Sequence, residues 1–444
     1  MMDTQPFGLN LASIQTTIPG PRSLELAARL QKVETPGVTH VSHDFPIFWE
    51  KALGSNIQDV DGNIYVDLTA AFGVANLGHS PPIGISALHE QALKLSHGMG
   101  DVHPPAIKIE LLELLTSLFP EKNAQALLST SGADAVETAL KSAFLATDRP
   151  GILCFDGAYH GLSYGTLNVS GQNKFRDPFL KQLSSFTVQA KFPKAHDSID
   201  QSFSDIERLM KESEKTSFPI GAILVEPIQG RAGVIVPPKG WLFGLRKLTE
   251  RHQILLIVDE IMTGFGRTGA RFAINHENVC PDLLCVGKAL TGMLPFSACL
   301  GRKEVMKTWP TLAGEALHTS TFLGHPLGCA VALTVIKEIE RLNLADRAQK
   351  MGIHLFEKMQ RWNETMPIIQ EIRGKGLMIG VELQKSNQTG LAFEVAKKAL
   401  KKGLILLPSG GDGNVVSITP PLTISECQLD WALSTLKEVL LSVS

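Results

Sequence analysis

The sequence predicts an α/β protein: a large domain on a mostly parallel, doubly wound sheet, and a smaller α+β domain. Three observations carry this reading. Apolar, β-branched runs at 221–226, 254–258 and 283–286 have the length of buried parallel strands, and a helical stretch at 240–252 separates the first two. Residues that can do chemistry stand at their ends: Glu226, Asp259 and, after Gly287, Lys288. From about residue 344 onward the pattern changes to charged helices alternating with short strands.

A chain of 444 residues can bury a core large enough for two domains. The expected division is 1–69 as an N-terminal arm and part of the small domain, 70–335 as the large domain, and 336–444 as the C-terminal small domain.

In chain order, residues 1–22 are polar and read as an arm without its own core, and 23–35 as a short amphipathic helix. Asp61-Gly62-Asn63 is a hairpin turn inside 46–69. The small residues from Leu68 to His79 read as a lining, and helices follow at 82–96 and 105–119, with His103 in the loop between them. A strand at 124–130 leads through Ser131-Gly132-Ala133-Asp134 into an alanine-rich helix. Such a turn exposes backbone N–H groups at a positive dipole end, which suits a phosphate or serves only as an N-cap. The strand 152–155 runs into Asp156-Gly157-Ala158-Tyr159-His160-Gly161, where an aromatic can stack on a flat ring or simply pack. The stretch to about 218 reads as loops and a charged helix without chemistry. Beyond Lys288 come a strand near 298–301, a cluster of hydroxyls at 319–321 and a helix at 327–342. The small domain is expected to hold helices at 344–363, 390–402 and 425–442, with strands at 368–373, 376–383, 404–408 and 415–419.

A net charge of −2 gives no global electrostatic argument for nucleic acid or an anionic membrane, so the expected partner is a small molecule. The six cysteines are scattered, with no CxxC pair, which fits a reduced cytoplasmic protein without a zinc or other metal site. No basic-then-apolar leader opens the sequence, and no apolar run approaches the roughly 18 residues of a membrane span.

Parallel strands deliver ligand-binding groups at their carboxyl ends, so Asp259 and Lys288 can face one molecule. It needs a basic nitrogen for the acid and an electrophilic carbon for the amine. Pyridoxal phosphate has both. A charge-assisted hydrogen bond of about 1.5–3 kcal/mol from a carboxylate helps to keep the pyridine ring protonated and electron-accepting. The bland alternative is a strand-end acid capping a turn and an ordinary surface lysine.

The ordered set of motifs resembles the class III group of fold-type I pyridoxal-phosphate enzymes, which includes ω-, ornithine and 4-aminobutyrate aminotransferases. The pieces are Asp-Val-Asp-Gly-Asn at 59–63, Ser-Gly-Ala-Asp-Ala-Val-Glu at 131–137, Tyr-His-Gly at 159–161 and Glu-Pro-Ile-Gln-Gly at 226–230. They continue with Asp-Glu-Ile-Met-Thr-Gly-Phe-Gly-Arg-Thr-Gly at 259–269, Gly-Lys at 287–288 and Ser-Thr-Phe at 320–322. The resemblance implies a seven-stranded sheet and a ping-pong aminotransferase acting through a Lys288 Schiff base, with Asp259 on the pyridine nitrogen. It implies Tyr159 and Ile261 on the ring faces, and His160 and Glu226 around the ring and Asp259. Ser131, Gly132 and Ala133 are expected at the phosphate, joined by Ser320 and Thr321, with Thr321 coming from the second subunit of a homodimer. An amine or amino acid and a 2-oxo acid are the implied substrates; racemisation or epimerisation is the alternative outcome, and a non-catalytic binding protein a third.

Several positions depart from the group. Arg231 stands where many relatives carry Glu, and Ser417 where they carry the arginine that grips an α-carboxylate. Because a carboxylate still needs a cation, Arg231 is expected to take over from the other side of the pocket; the competing reading has it facing solvent or an acid. Met262 replaces a glutamine near the cofactor's phenolic oxygen, and Phe72 is expected to narrow the substrate pocket.

Overall fold

A computed structural model describes residues 6–384 and 390–443 and divides the chain into two compact units. One is Pro82–Gln349; the other combines the described residues of Met1–Pro81 and Lys350–Ser444.

The larger unit is built on seven strands: β1 (Gln125–Ser129), β2 (Gly151–Phe155), β3 (Thr187–Ala190), β4 (Ile220–Val225), β5 (Leu255–Asp259), β6 (Leu283–Val286) and β7 (Ser297–Gly301). Their order across the sheet is β1-β7-β6-β5-β4-β2-β3. Only β7 runs against its neighbours, so the other six strands point their carboxyl ends to one edge. β2, β4 and β6 are buried along their whole length, as expected of strands covered on both faces. The register pairs Asp259 with Cys285, which sets the acid ending β5 beside the strand that leads to Lys288.

The helix Gly132–Thr147 lays Ala135, Val136, Ala139 and Ala143 on the sheet against Ile257, Cys285 and Cys299. Its small side chains let backbone and sheet approach closely, which fixes the height of the helix N-terminus above the strand ends. Edge strand β3 falls in the stretch read from sequence as loops and a helix. It is four residues long and only partly buried, and Thr-Val-Gln-Ala lacks the continuous apolar run that marks the inner strands.

The other unit holds two four-stranded sheets. The first joins Trp49–Leu53, Asn56–Asp59, Ile64–Asp67 and Leu404–Ile405; the second joins Ile369–Lys375, Met378–Leu383, Val415–Ile418 and Leu407–Ser409. Asp59 explains the turn at Asp61-Gly62-Asn63: its Oδ1 accepts the N–H groups of Asp61 (3.0 Å) and Asn63 (2.8 Å), and Gly62 takes the left-handed φ of 87°.

The units divide later in the chain than 69/70 and 335/336. Residues from Leu68 to His79 are tied by backbone hydrogen bonds to Ile405, Gly54 and Leu422 of their own unit. The helix Pro326–Arg341 packs on the helices Pro82–Lys94 and Ala106–Leu118. Among the described residues no helix is long and apolar enough to cross a membrane.

Candidate active site

At the carboxyl edge of the large sheet lies a cavity of about 310 Å³. Gly132, Ala133, Tyr159, His160, Glu226, Arg231, Asp259, Ile261, Met262 and Lys288 line it, together with Gly161 and Leu162. Residues separated by more than 150 positions in sequence meet here because five parallel strand ends open on the same edge.

Asp259 is the last residue of β5 and is 4% exposed. Both of its oxygens are held: Oδ2 accepts a hydrogen bond from His160 Nδ1 at 2.8 Å, and Oδ1 accepts the Ile261 N–H at 3.0 Å. With Nδ1 donating to the carboxylate, Nε2 of His160 is left buried without a partner among the described residues.

Lys288 follows β6 through the extended Gly287 and adopts a left-handed φ of 45°. For a side chain with a Cβ this conformation costs of order 1–3 kcal/mol, and it persists because Leu290 N–H and Gly292 N–H close a tight turn on Gly287 and Lys288. Burial pushes the Lys288 amine below the ordinary lysine pKa, Asp259 and Glu226 oppose that shift, and Arg231 and Arg267 add to it. No hydrogen bond from another described residue reaches the amine.

The helix Gly132–Thr147 presents its N-terminus to the cavity. Ser131 Oγ caps it by accepting the Asp134 N–H at 3.2 Å, so this hydroxyl stabilises the helix start and does not itself line the cavity. The Gly132 and Ala133 N–H groups make no hydrogen bond to described residues and remain available to an anion. Two glycines keep this corner open. A Cβ on Gly132 would lie 2.9 Å from Ile261 Cδ1, and one on Gly161 would lie 2.6 Å from Ala133 Cβ.

Glu226, just beyond β4, is 6% exposed and binds two loops: Oε1 accepts the Tyr159 N–H at 2.8 Å and Oε2 the Gly230 N–H at 3.0 Å. It thereby holds the backbone at Tyr159 and at the turn that leads to Arg231. Burial, and secondarily the Asp259 charge, raise its pKa. The Arg231 guanidinium lies 5.2 Å from the Tyr159 ring centroid and 5.8 Å from that of Phe175, with the two rings 5.7 Å apart at 66°. No acidic side chain among the described residues pairs with it.

Four further residues named from the sequence do not line this cavity. Ser320 and Thr321 are exposed and do not line the cavity; their loop is held by a hydrogen bond from Thr319 Oγ1 to Asp101 (2.6 Å). Phe72 belongs to the other unit, where it is 53% exposed and left-handed (φ 65°), beside an apolar cavity that it lines with Phe45, Trp49 and Phe393. Ser417, also in that unit, is 2% exposed and shares a 2.6 Å hydrogen bond with Ser409. The sequence reading missed Leu162 in the cavity wall and Phe175 behind it. A lone leucine, and a phenylalanine inside Asn-Lys-Phe-Arg, carry no spacing signal that could have found them.

The residues present fit pyridoxal phosphate. A buried amine, a buried carboxylate, two unbonded N–H groups at a helix N-terminus, an aromatic ring and an unmatched buried histidine nitrogen converge on one cavity. The fold and this set of groups define an enzyme of the cofactor-bound α/β class.

The model of class-III aminotransferases matches residues 38–440, and the chain belongs to that family. The chain is 33% identical to a 4-aminobutyrate aminotransferase of Mycobacterium leprae (strain TN), over 96% of its own length and 97% of the relative's. It is also 33% identical to an alanine/serine racemase of Pyrococcus horikoshii (strain ATCC 700860 / DSM 12428 / JCM 9974 / NBRC 100139 / OT-3), over 95% of this chain and 91% of the other. A crystal structure of an amine transaminase from an uncultivated Pseudomonas species, with PLP bound, superposes with a TM-score of 0.85 at 28% identity, covering 93% of this chain and 99% of that one. The protein is a pyridoxal-phosphate-dependent aminotransferase.

Proposed function

We propose that the enzyme moves the amino group of a carboxylate-bearing amine to a 2-oxo acid, with Arg231 holding the substrate carboxylate. The observation that carries this reading is the Arg231 guanidinium in the cavity wall, within cation–π distance of Tyr159 and Phe175 and unpaired with any acid among the described residues. The two rings hold the cation in place without using its N–H donors, which leaves them for a bidentate carboxylate. The buried Ser417, bonded to Ser409, offers no cation for that task.

Pyridoxal phosphate, when bound, supplies an aldehyde that takes up the amino group and a protonated ring that accepts the electron pair of the neighbouring C–H bond. Asp259 would keep that ring nitrogen protonated, its own position fixed by His160 and the Ile261 N–H. Gly132 and Ala133 N–H groups would take the phosphate, and Tyr159 and Ile261 would confine the ring. Lys288 Nζ, whose neutral form burial favours, would take the proton from the substrate carbon that bears nitrogen and carry it onward.

A homodimer with shared sites completes the proposal, with Ser320 and Thr321 of each copy serving the other's phosphate. In support, the loop that carries them packs against residues 97–102 and exposes Phe322 beside Met99 and Val102, an apolar surface suited to a second copy. The six free cysteines fit a reducing cytoplasm.

Steady-state kinetics on the holoenzyme test the Arg231 assignment. Arg231→Ala should raise KM for α-amino acids by about 10- to 100-fold and leave simple amines within about threefold. Equal effects on both classes refute it. Because a racemase lies as near in sequence as an aminotransferase, a chiral amino acid should also be incubated without acceptor. Loss of optical activity without oxo-acid formation would favour racemisation.

A further inference from the structure

We propose that Lys174 determines specificity: with Arg231 it forms a two-cation clasp on Phe175 that selects amino and 2-oxo acids carrying a second carboxylate. The proposal rests on Arg231 as the anchor of the first carboxylate.

Lys174 and Arg231 share one aromatic ring. The Lys174 ammonium lies 5.1 Å from the Phe175 centroid, and the Arg231 guanidinium lies 5.8 Å from the same point. Neither cation forms a salt bridge with any acid among the described residues. Each ring contact is attractive, but a ring face neutralises no charge and takes up no N–H donor. Two like charges therefore face the same ring without a counterion. Partial burial chiefly, and then the Arg231 charge, lower the Lys174 pKa.

Arg231 lines the cavity, and Phe175 and Lys174 stand behind its wall, joined to it through Tyr159. Lys174 and Phe175 lie in the short helix Asn173–Arg176; Gln172, just before it, donates from Nε2 to Gly157 O at 3.1 Å, and the Phe175 ring packs edge-on to Tyr159. Gly157 and Tyr159 belong to the loop that Glu226 holds on the cavity. One carboxylate saturates the Arg231 fork and still leaves the Lys174 charge unmatched. A second carboxylate on the same substrate removes it, and the four-carbon lysine stem gives the reach and adaptability that a distal group requires.

The test uses the holoenzyme with pyruvate and 2-oxoglutarate as acceptors, and butyrate and glutarate as competitive inhibitors. Lys174→Gln should raise KM for 2-oxoglutarate and the inhibition constant of glutarate by about tenfold, with pyruvate and butyrate within about twofold and Lys174→Arg restoring both. Lys174 is exposed, so the variant is expected to fold, and circular dichroism checks it. Equal shifts for mono- and dicarboxylates, no shift at all, or a wild-type enzyme indifferent to both 2-oxoglutarate and glutarate would overturn the clasp. Arg231→Ala separates the two readings: if it weakens mono- and dicarboxylates while Lys174→Gln changes neither, only the clasp fails. If Arg231→Ala changes nothing, its anchor has failed first.

Discussion

His160 donates from Nδ1 to Asp259 Oδ2 across 2.8 Å, although 99 positions separate the two residues in sequence. The bond fixes the imidazole tautomer and aims the carboxylate, whose other oxygen is already held by the Ile261 N–H. Replacing His160 with Leu leaves Asp259 Oδ2 buried and unmatched. Cofactor affinity should then fall by about tenfold or more, read by titrating apoprotein with pyridoxal phosphate and following absorbance. Unchanged affinity would remove His160 from the site.

Gly161 sits at a φ of +125°, and an added Cβ would meet Ala133 Cβ at 2.6 Å and Ala133 Cα at 3.0 Å. Gly161→Ala therefore strains the backbone and pushes on the helix start whose N–H groups face the cavity. A loss of about 1–3 kcal/mol in stability is expected by urea denaturation, together with weaker binding of inorganic phosphate to the apoprotein. An unperturbed variant would show that the helix N-terminus tolerates displacement.

Glu260 is fully buried, accepts the Ile274 N–H at 2.8 Å and the Thr263 hydroxyl, and has its pKa pushed up to about 7, first by burial and then by Asp259. The folded protein thus holds a proton that the unfolded chain releases from its ordinary carboxyl value of 4.5 upward. Stability from this group is complete below that value and is lost as pH rises to about 7. Glu260→Gln should flatten the fall in urea midpoint between about pH 5 and about pH 8; an unchanged slope would assign it to other groups.

What the sequence made legible followed from buried strands. The runs ending at Glu226, Asp259 and Lys288 are apolar because they are covered on both faces, so their ends, and the chemistry there, stand out. The edge strand Thr187–Ala190 is half-covered and carries no such signature. The aromatic bracket of Arg231 was likewise hidden. Phe175 and Lys174 come behind the cavity wall on a short helix held by Gln172 and by the Phe175–Tyr159 ring contact, a tertiary arrangement with no periodicity to read. Ser131 shows another side of this: its position was legible, and the fold adds that its Oγ caps the helix by accepting the Asp134 N–H.

The central claim is that the Lys288 amine is the group that captures the cofactor aldehyde. It is tested most directly by reducing the pyridoxal-phosphate-loaded protein with borohydride and locating the modified residue by peptide mass spectrometry. The expected result is a single pyridoxyl adduct on Lys288, absent from a Lys288→Ala variant that still binds the cofactor reversibly. An adduct on a different lysine, or a loaded wild-type protein that yields none, would contradict it.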